Sequence, residues 1–133
     1  SATPDGSVFF NGWTIDGNLI IESDESSRHS NGVFNPSAYT IGDASSDYAI
    51  RIAETNITIR EMQLLLLNEA DQDLIYLSFG NNNIEIYNNV IISSVDYTVD
   101  TVSAMLKTSH SGMSVDLNNN FIYGFKFLIR DSK

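Results

Sequence analysis

Shifted against itself by 27 positions, this chain lays apolar residue on apolar residue. Tyr48, Ile50 and Ile52 fall on Ile75, Leu77 and Phe79. Ile57 and Ile59 fall on Ile84 and Ile86, and Leu65 falls on Ile92. A second shift of 27 carries Leu77 and Phe79 onto Ala104 and Leu106. The offset then becomes 31, with Ile84, Ile86 and Val90 landing on Val115, Leu117 and Phe121. The turn-like run Thr108-Ser109-His110-Ser111-Gly112 is where the four added residues are expected. A recurring unit of short alternating segments is too small to bury its own apolar face. Stacking one unit on the next covers it, which makes a solenoid the expected architecture.

The pattern extends to the N-terminus. Ile50 and Ile52 match Val8 and Phe10 at offset 42, and Ile57 and Ile59 match Trp13 and Ile15 at offset 44. The excess length lies in 22–47, a Ser-, Asp-, Asn- and Gly-rich excursion whose apolar islands are Val33-Phe34 and Tyr39-Thr40-Ile41. Four copies of one unit result: strand, turn, strand, Asn-rich bend, apolar strand, loop. Helical propensity is best at 61–70, but the repeat places a strand there. A last alternating run, Phe125, Phe127 and Ile129, either begins a fifth unit or folds over the end.

Three segments carry a resemblance: Asn56-Ile57-Thr58-Ile59, Asn83-Ile84-Glu85-Ile86-Tyr87-Asn88-Asn89-Val90-Ile91, and Val115-Asp116-Leu117-Asn118-Asn119-Asn120-Phe121-Ile122. They resemble the coils of right-handed parallel β-helix proteins, the pectin-lyase-like family, which includes phage tail-spike and fibre-like modules. The resemblance implies an all-β chain, a short right-handed parallel β-helix of about four coils. It forms a single domain over 1–133, with the excursion at 22–47 and a terminal strand at 125–129. An antiparallel β-sandwich shares the strand pattern; hairpins would mark it, and parallel pairing would exclude it.

In the solenoid, the inward columns are expected to be Val8, Ile50, Leu77, Ala104, then Trp13, Ile57, Ile84, Val115, then Ile15, Ile59, Ile86, Leu117. Asn18, Asn89 and Asn120 are the candidates for the bends, because asparagine tolerates left-handed backbone and bonds to neighbouring chain.

The residues between the inward ones form outer columns: Thr14, Thr58, Glu85, Asp116, and beside it Asp16, Arg60, Tyr87, Asn118. Proteins of the resembled family bind polysaccharide along such a face. On that basis Arg60, Glu85, Tyr87 and Asp116 are the candidate ligand-binding residues, against the plainer reading of a solvated sheet face with Arg60 packed near Tyr87. No catalytic set of the family is matched, so the expected function is a non-enzymatic structural module. The alternative is a carbohydrate-active lyase or hydrolase using Glu85 and Asp116, one coil apart.

A formal net charge of −10 argues against nucleic acid and anionic membranes as partners. The absence of cysteine excludes disulfides and thiolate chemistry. No apolar run approaches the roughly 18 residues of a membrane span. Neither metal nor cofactor is expected, calcium being the one ion that the acids at Asp24-Glu25, Asp71-Asp73 and Asp96-Asp100 leave open. His29 and His110 read as surface residues. A start at Ser-Ala-Thr-Pro suits a processed chain, and the expected setting is extracellular or the virion surface. Short length and apolar ends make self-association, as a trimer or an end-to-end stack, the first expected partnership, and polysaccharide the second.

Overall fold

The computed structural model describes residues 8–12, 17–29, 32–38, 40–43, 48–66, 73–78, 83–94, 104–109 and 112–131. They form a short all-β parallel solenoid. Strands β1 (Val8–Phe10), β4 (Tyr48–Ile52), β7 (Asp73–Leu77), β10 (Ala104–Thr108) and β13 (Phe127–Asp131) make the first sheet, in that spatial order. The second runs β2 (Leu19–Glu22), β5 (Ile57–Arg60), β8 (Asn83–Tyr87), β11 (Ser114–Asn118). The third runs β3 (Thr40–Asp43), β6 (Gln63–Leu66), β9 (Val90–Ser93), β12 (Phe121–Tyr123). Every pairing between these strands is parallel, which excludes the sandwich. Each coil contributes one strand to each sheet, and β13 opens a fifth coil over β10.

Alternation explains the core. Ile57, Ile59, Ile84 and Ile86 are almost wholly buried and stack in register, Ile57 on Ile84 and Ile59 on Ile86. Ile50 on Ile75 and Leu64 on Ile91 do the same in the other two sheets. Each such side chain contributes about 1.5–3 kcal/mol of burial. Within 61–70, Gln63–Leu66 is strand β6, as the repeat predicts, after a bend at Glu61; 67–70 lie outside the described residues.

Offset 27 is right for β5 on β8 and β6 on β9, and offset 31 for β8 on β11. The first sheet needs a correction. Ile50 pairs with Ile75 and Ile52 with Leu77, an offset of 25, and Leu77 pairs with Thr108, an offset of 31. A slip of two residues preserves which face each side chain takes, so alternation cannot detect it. The two extra residues fall in the corner between β7 and β8. The four-residue insertion falls between β9 and β10, ahead of its expected place at 108–112.

The second strand of the first coil is also corrected. Leu19 and Ile21 pair with Ile57 and Ile59, where Trp13 and Ile15 were expected. Both segments alternate, and the long excursion removes length as a discriminator. Residues 13–16 lie outside the described residues. In the outer columns, Ile20 and Glu22 therefore stand where Thr14 and Asp16 were expected. The terminal strand begins at Phe127, two residues beyond the expected start, with Phe127 on Ala104 and Ile129 on Leu106.

Candidate functional site

The outer face of the second sheet holds all four expected site residues. Glu85 and Asp116 lie directly opposite across β8 and β11, and Arg60 and Tyr87 opposite across β5 and β8. Arg60 is held from both sides. Its Nε donates to Glu22 Oε2 at 2.6 Å and its Nη1 to Tyr87 Oη at 2.9 Å. The contact with Tyr87 is thus a hydrogen bond to the phenol oxygen. The Arg60 bond, aided by the charges of Arg60 and Arg28, holds the Glu22 carboxyl below its ordinary value against a smaller desolvation effect. The same pair raises the Arg60 guanidinium, Glu22 acting first and Tyr87 second. Glu85 accepts from Thr58 Oγ1 at 3.2 Å, and Asp116 from Asn118 Nδ2 at 2.8 Å. Asn18 donates to Thr58 Oγ1, so it pins the strand face. It bonds to the next coil as expected, but from the corner before β2 and not from the bend after it.

The bend between the second and third sheets carries a more elaborate construction. Glu61, Asn88 and Asn119 hold equivalent left-handed positions, with φ of 56°, 56° and 51°. Their side chains form a ladder: Asn119 Nδ2 donates to Asn88 Oδ1 at 2.8 Å, and Asn88 Nδ2 to Glu61 Oε1 at 2.9 Å. One residue on, Asn89 and Asn120 point the other way, into the backbone. Asn89 is 1% exposed; its Oδ1 accepts from Met62 N and its Nδ2 donates to Ile59 O, both at 3.0 Å. Asn89 and Asn120 stand in the bends and bond to the neighbouring coil, as expected, but the left-handed backbone expected of them falls one residue earlier, on Asn88 and Asn119.

The excursion after β2 folds over these bends. Asp24 caps a short 3-10 turn, Glu25–Ser27, by accepting from Ser26 N and Oγ, and those bonds lower its carboxyl. The chain then reaches two coils away. His29 Nε2 donates to Asn88 O at 2.6 Å, while its Nδ1 accepts from Gly32 N at 3.2 Å. That pairing suits the neutral ring with its proton on Nε2. His29 is half-buried structure, a correction to the surface residue expected; His110 lies outside the described residues. Further along, the buried amide of Gln63 mimics a strand edge. Its Oε1 accepts from Asn35 N at 2.6 Å, and its Nε2 donates to Asn35 O at 2.9 Å.

Between the excursion and the bends lies a cleft of about 490 Å³ lined by His29, Gly32, Glu61, Asn88, Asn119, Asn120 and Phe121. None of these was expected as a ligand residue. The available signal was Glu61 aligning with Asn88 at offset 27, an acid in an asparagine column.

Of the loop acids, Asp73 is buried at 1% exposure and bound by protein. It accepts from Ala104 N at 3.1 Å and Arg130 Nη2 at 2.7 Å, with Lys107 Nζ at 3.4 Å. Asp71, Asp96 and Asp100 lie outside the described residues. Among the described residues no group of three or more His, Asp or Glu is placed to hold a metal ion. No helix among them is long and apolar enough to cross a membrane. No protein-family model, curated protein or solved structure matches the chain.

Proposed function

We propose that this chain is a structural β-solenoid element of the kind used in right-handed β-helix fibre and tail-spike modules, extracellular or on a virion surface, which associates end to end with a second copy. What supports this reading is the state of the two ends. At one, β1, β2 and β3 each pair with a single described strand; at the other, β13, β11 and β12 do. Open edges invite further pairing. Large apolar residues accompany them: Phe9 at 51% and Ile20 at one end, Phe121, Tyr123 at 67%, Phe127, Leu128 and Ile129 at the other.

One outer column also matches itself end to end. In register it reads Phe9, Arg51, Tyr76, Lys107, Arg130. The Arg51 guanidinium lies 4.5 Å from the Phe9 ring centroid and 5.7 Å from that of Tyr76, and Lys107 Nζ lies 5.4 Å from Tyr76. Aromatic and cation alternate from Phe9 to Lys107, and the column ends on a second cation, Arg130, where the next copy would offer Phe9.

Sedimentation velocity over a wide concentration range tests the proposal. Self-association should grow with concentration and fall away in a Tyr123→Asp, Leu128→Asp variant. A monomer at every concentration sinks it.

The enzymatic alternative rests on Glu85 and Asp116 standing opposite one another on neighbouring strands. Cleavage of acidic polysaccharides, lost in Glu85→Gln and in Asp116→Asn, supports it; no product from the native chain rejects it. Glycan contact at Arg60 and Tyr87 is tested in the same panel by binding without turnover.

A further inference from the structure

We propose that the cleft beside the bends binds an organic cation, an alkylammonium or guanidinium group, with Glu61 as its counter-charge. Hydrogen-bonding capacity points there first. Along the ladder, Asn88 bonds through Nδ2 to Glu61, through Oδ1 to Asn119, and through its carbonyl to His29. Asn120 bonds through Oδ1 to Asn89 and through Nδ2 to Ile86 O at 2.6 Å. His29 commits both ring nitrogens. At the ladder's two ends stand two acceptors, Glu61 Oε2 and Asn119 Oδ1, which bond to none of the described residues. These ends stand two coil spacings apart, roughly 10 Å. A ligand that satisfies them must bring donors.

Charge points the same way. The cleft contains one carboxylate, and Glu61 forms an ion pair with none of the described cations. An anionic ligand would meet that charge unscreened. At the rim, Phe121 continues the outward column of Gln63 and Val90, past the part that the excursion covers, and is 52% exposed. An aromatic ring beside a carboxylate is a favourable setting for an organic cation. The volume, about 490 Å³, falls within the range of small-ligand clefts.

The third observation is backbone geometry. Left-handed φ suits asparagine, and the two equivalent positions, 88 and 119, use it. Glu61 adopts the same φ of 56° without that advantage. Asparagine would serve the ladder equally, accepting from Asn88 as Asn88 accepts from Asn119. What glutamate adds is a charge, and an unfavourable backbone choice retained beside a cleft is a pointer to a role there.

The test is a titration followed by the side-chain amide resonances of Asn88 and Asn119, in the native chain and in Glu61→Asn, which keeps the ladder and relaxes the backbone. The probes are 1,4-diaminobutane, a short lysine- and arginine-containing peptide, and cellobiose as a neutral polyol. Saturable shifts with the diamine or the peptide, weakened roughly tenfold in Glu61→Asn and about threefold in Phe121→Leu, are the expected result. Shifts with the diamine identify a free amine as the source, and shifts with the peptide alone identify side chains of a partner protein. Absence of saturable shifts with either cation overturns the proposal. So does equal affinity in Glu61→Asn, or saturation by cellobiose at the same resonances.

Discussion

Asn120 repeats, one coil further on, the bonds that Asn89 makes to the backbone. Asn89 Oδ1 accepts from Met62 N and its Nδ2 donates to Ile59 O; Asn120 Oδ1 accepts from Asn89 N and its Nδ2 donates to Ile86 O. The side chain supplies the partners that the turning backbone cannot. Asn89→Ala leaves a buried N–H and a buried carbonyl unpaired, at about 1–3 kcal/mol each. We expect a loss of about 2–4 kcal/mol in urea unfolding, and about half that for the half-exposed Asn120→Ala.

Asp73 makes the larger electrostatic commitment. Its carboxylate is buried, and Arg130 and Lys107 balance it. Breaking a buried pair by removing one partner costs about 3–5 kcal/mol, far more than a surface pair contributes. Asp73→Asn keeps the bond from Ala104 N but leaves two cations facing a neutral amide. Chemical denaturation should show a loss of about 3 kcal/mol, and no loss would mean that solvent already screens the site.

Gly124 and Gly12 separate two costs of adding a methyl group. Both have positive φ, 83° and 77°. A Cβ at Gly12 meets nothing within 4 Å, whereas one at Gly124 would sit 2.2 Å from Ser93 O. Gly12→Ala should cost only the backbone term, about 1 kcal/mol. Gly124→Ala must also push β12 off β9, so its loss should be at least twice as large and accompanied by amide shifts in Ser93.

Glu22 provides a pH signature. Its folded carboxyl lies below the ordinary value of 4.5 because Arg60 bonds to it. A depressed acid contributes stability that is present above 4.5 and lost as pH falls through the folded value. Carbon NMR of the Glu22 carboxyl should therefore show a midpoint below 4.5. Arg60→Met should bring it back towards that value; an unmoved midpoint would assign the shift to another group.

The inward isoleucines of β5 and β8 were legible because alternation and a constant offset agree there, and both reflect side-chain stacking. The register of β4 on β7 was not, since a two-residue slip leaves every side chain on the same face. Leu19 was confused with Trp13 for a related reason: two alternating segments competed, and the excursion left no length constraint to choose between them. His29 and Gln63 were beyond reach because their partners, Asn88 O and the Asn35 backbone, are non-local and belong to an irregular segment. Of the cleft, the left-handed asparagines were visible as a composition and the acid among them as an exception. The excursion that walls the cleft follows no period.

Among the described residues, two contacts reach past the adjacent coil. His29, from the first coil, bonds Asn88 in the third, and Asp73, from the third, bonds Arg130 in the fifth. A pure stack behaves as a row of neighbours and can peel from either end, one rung at a time. Here the outermost rung at each end is tethered to the middle one, so peeling must break the tether first. The consequence is a short solenoid that melts as a block, with amides in the end coils exchanging through the same opening as those at its centre.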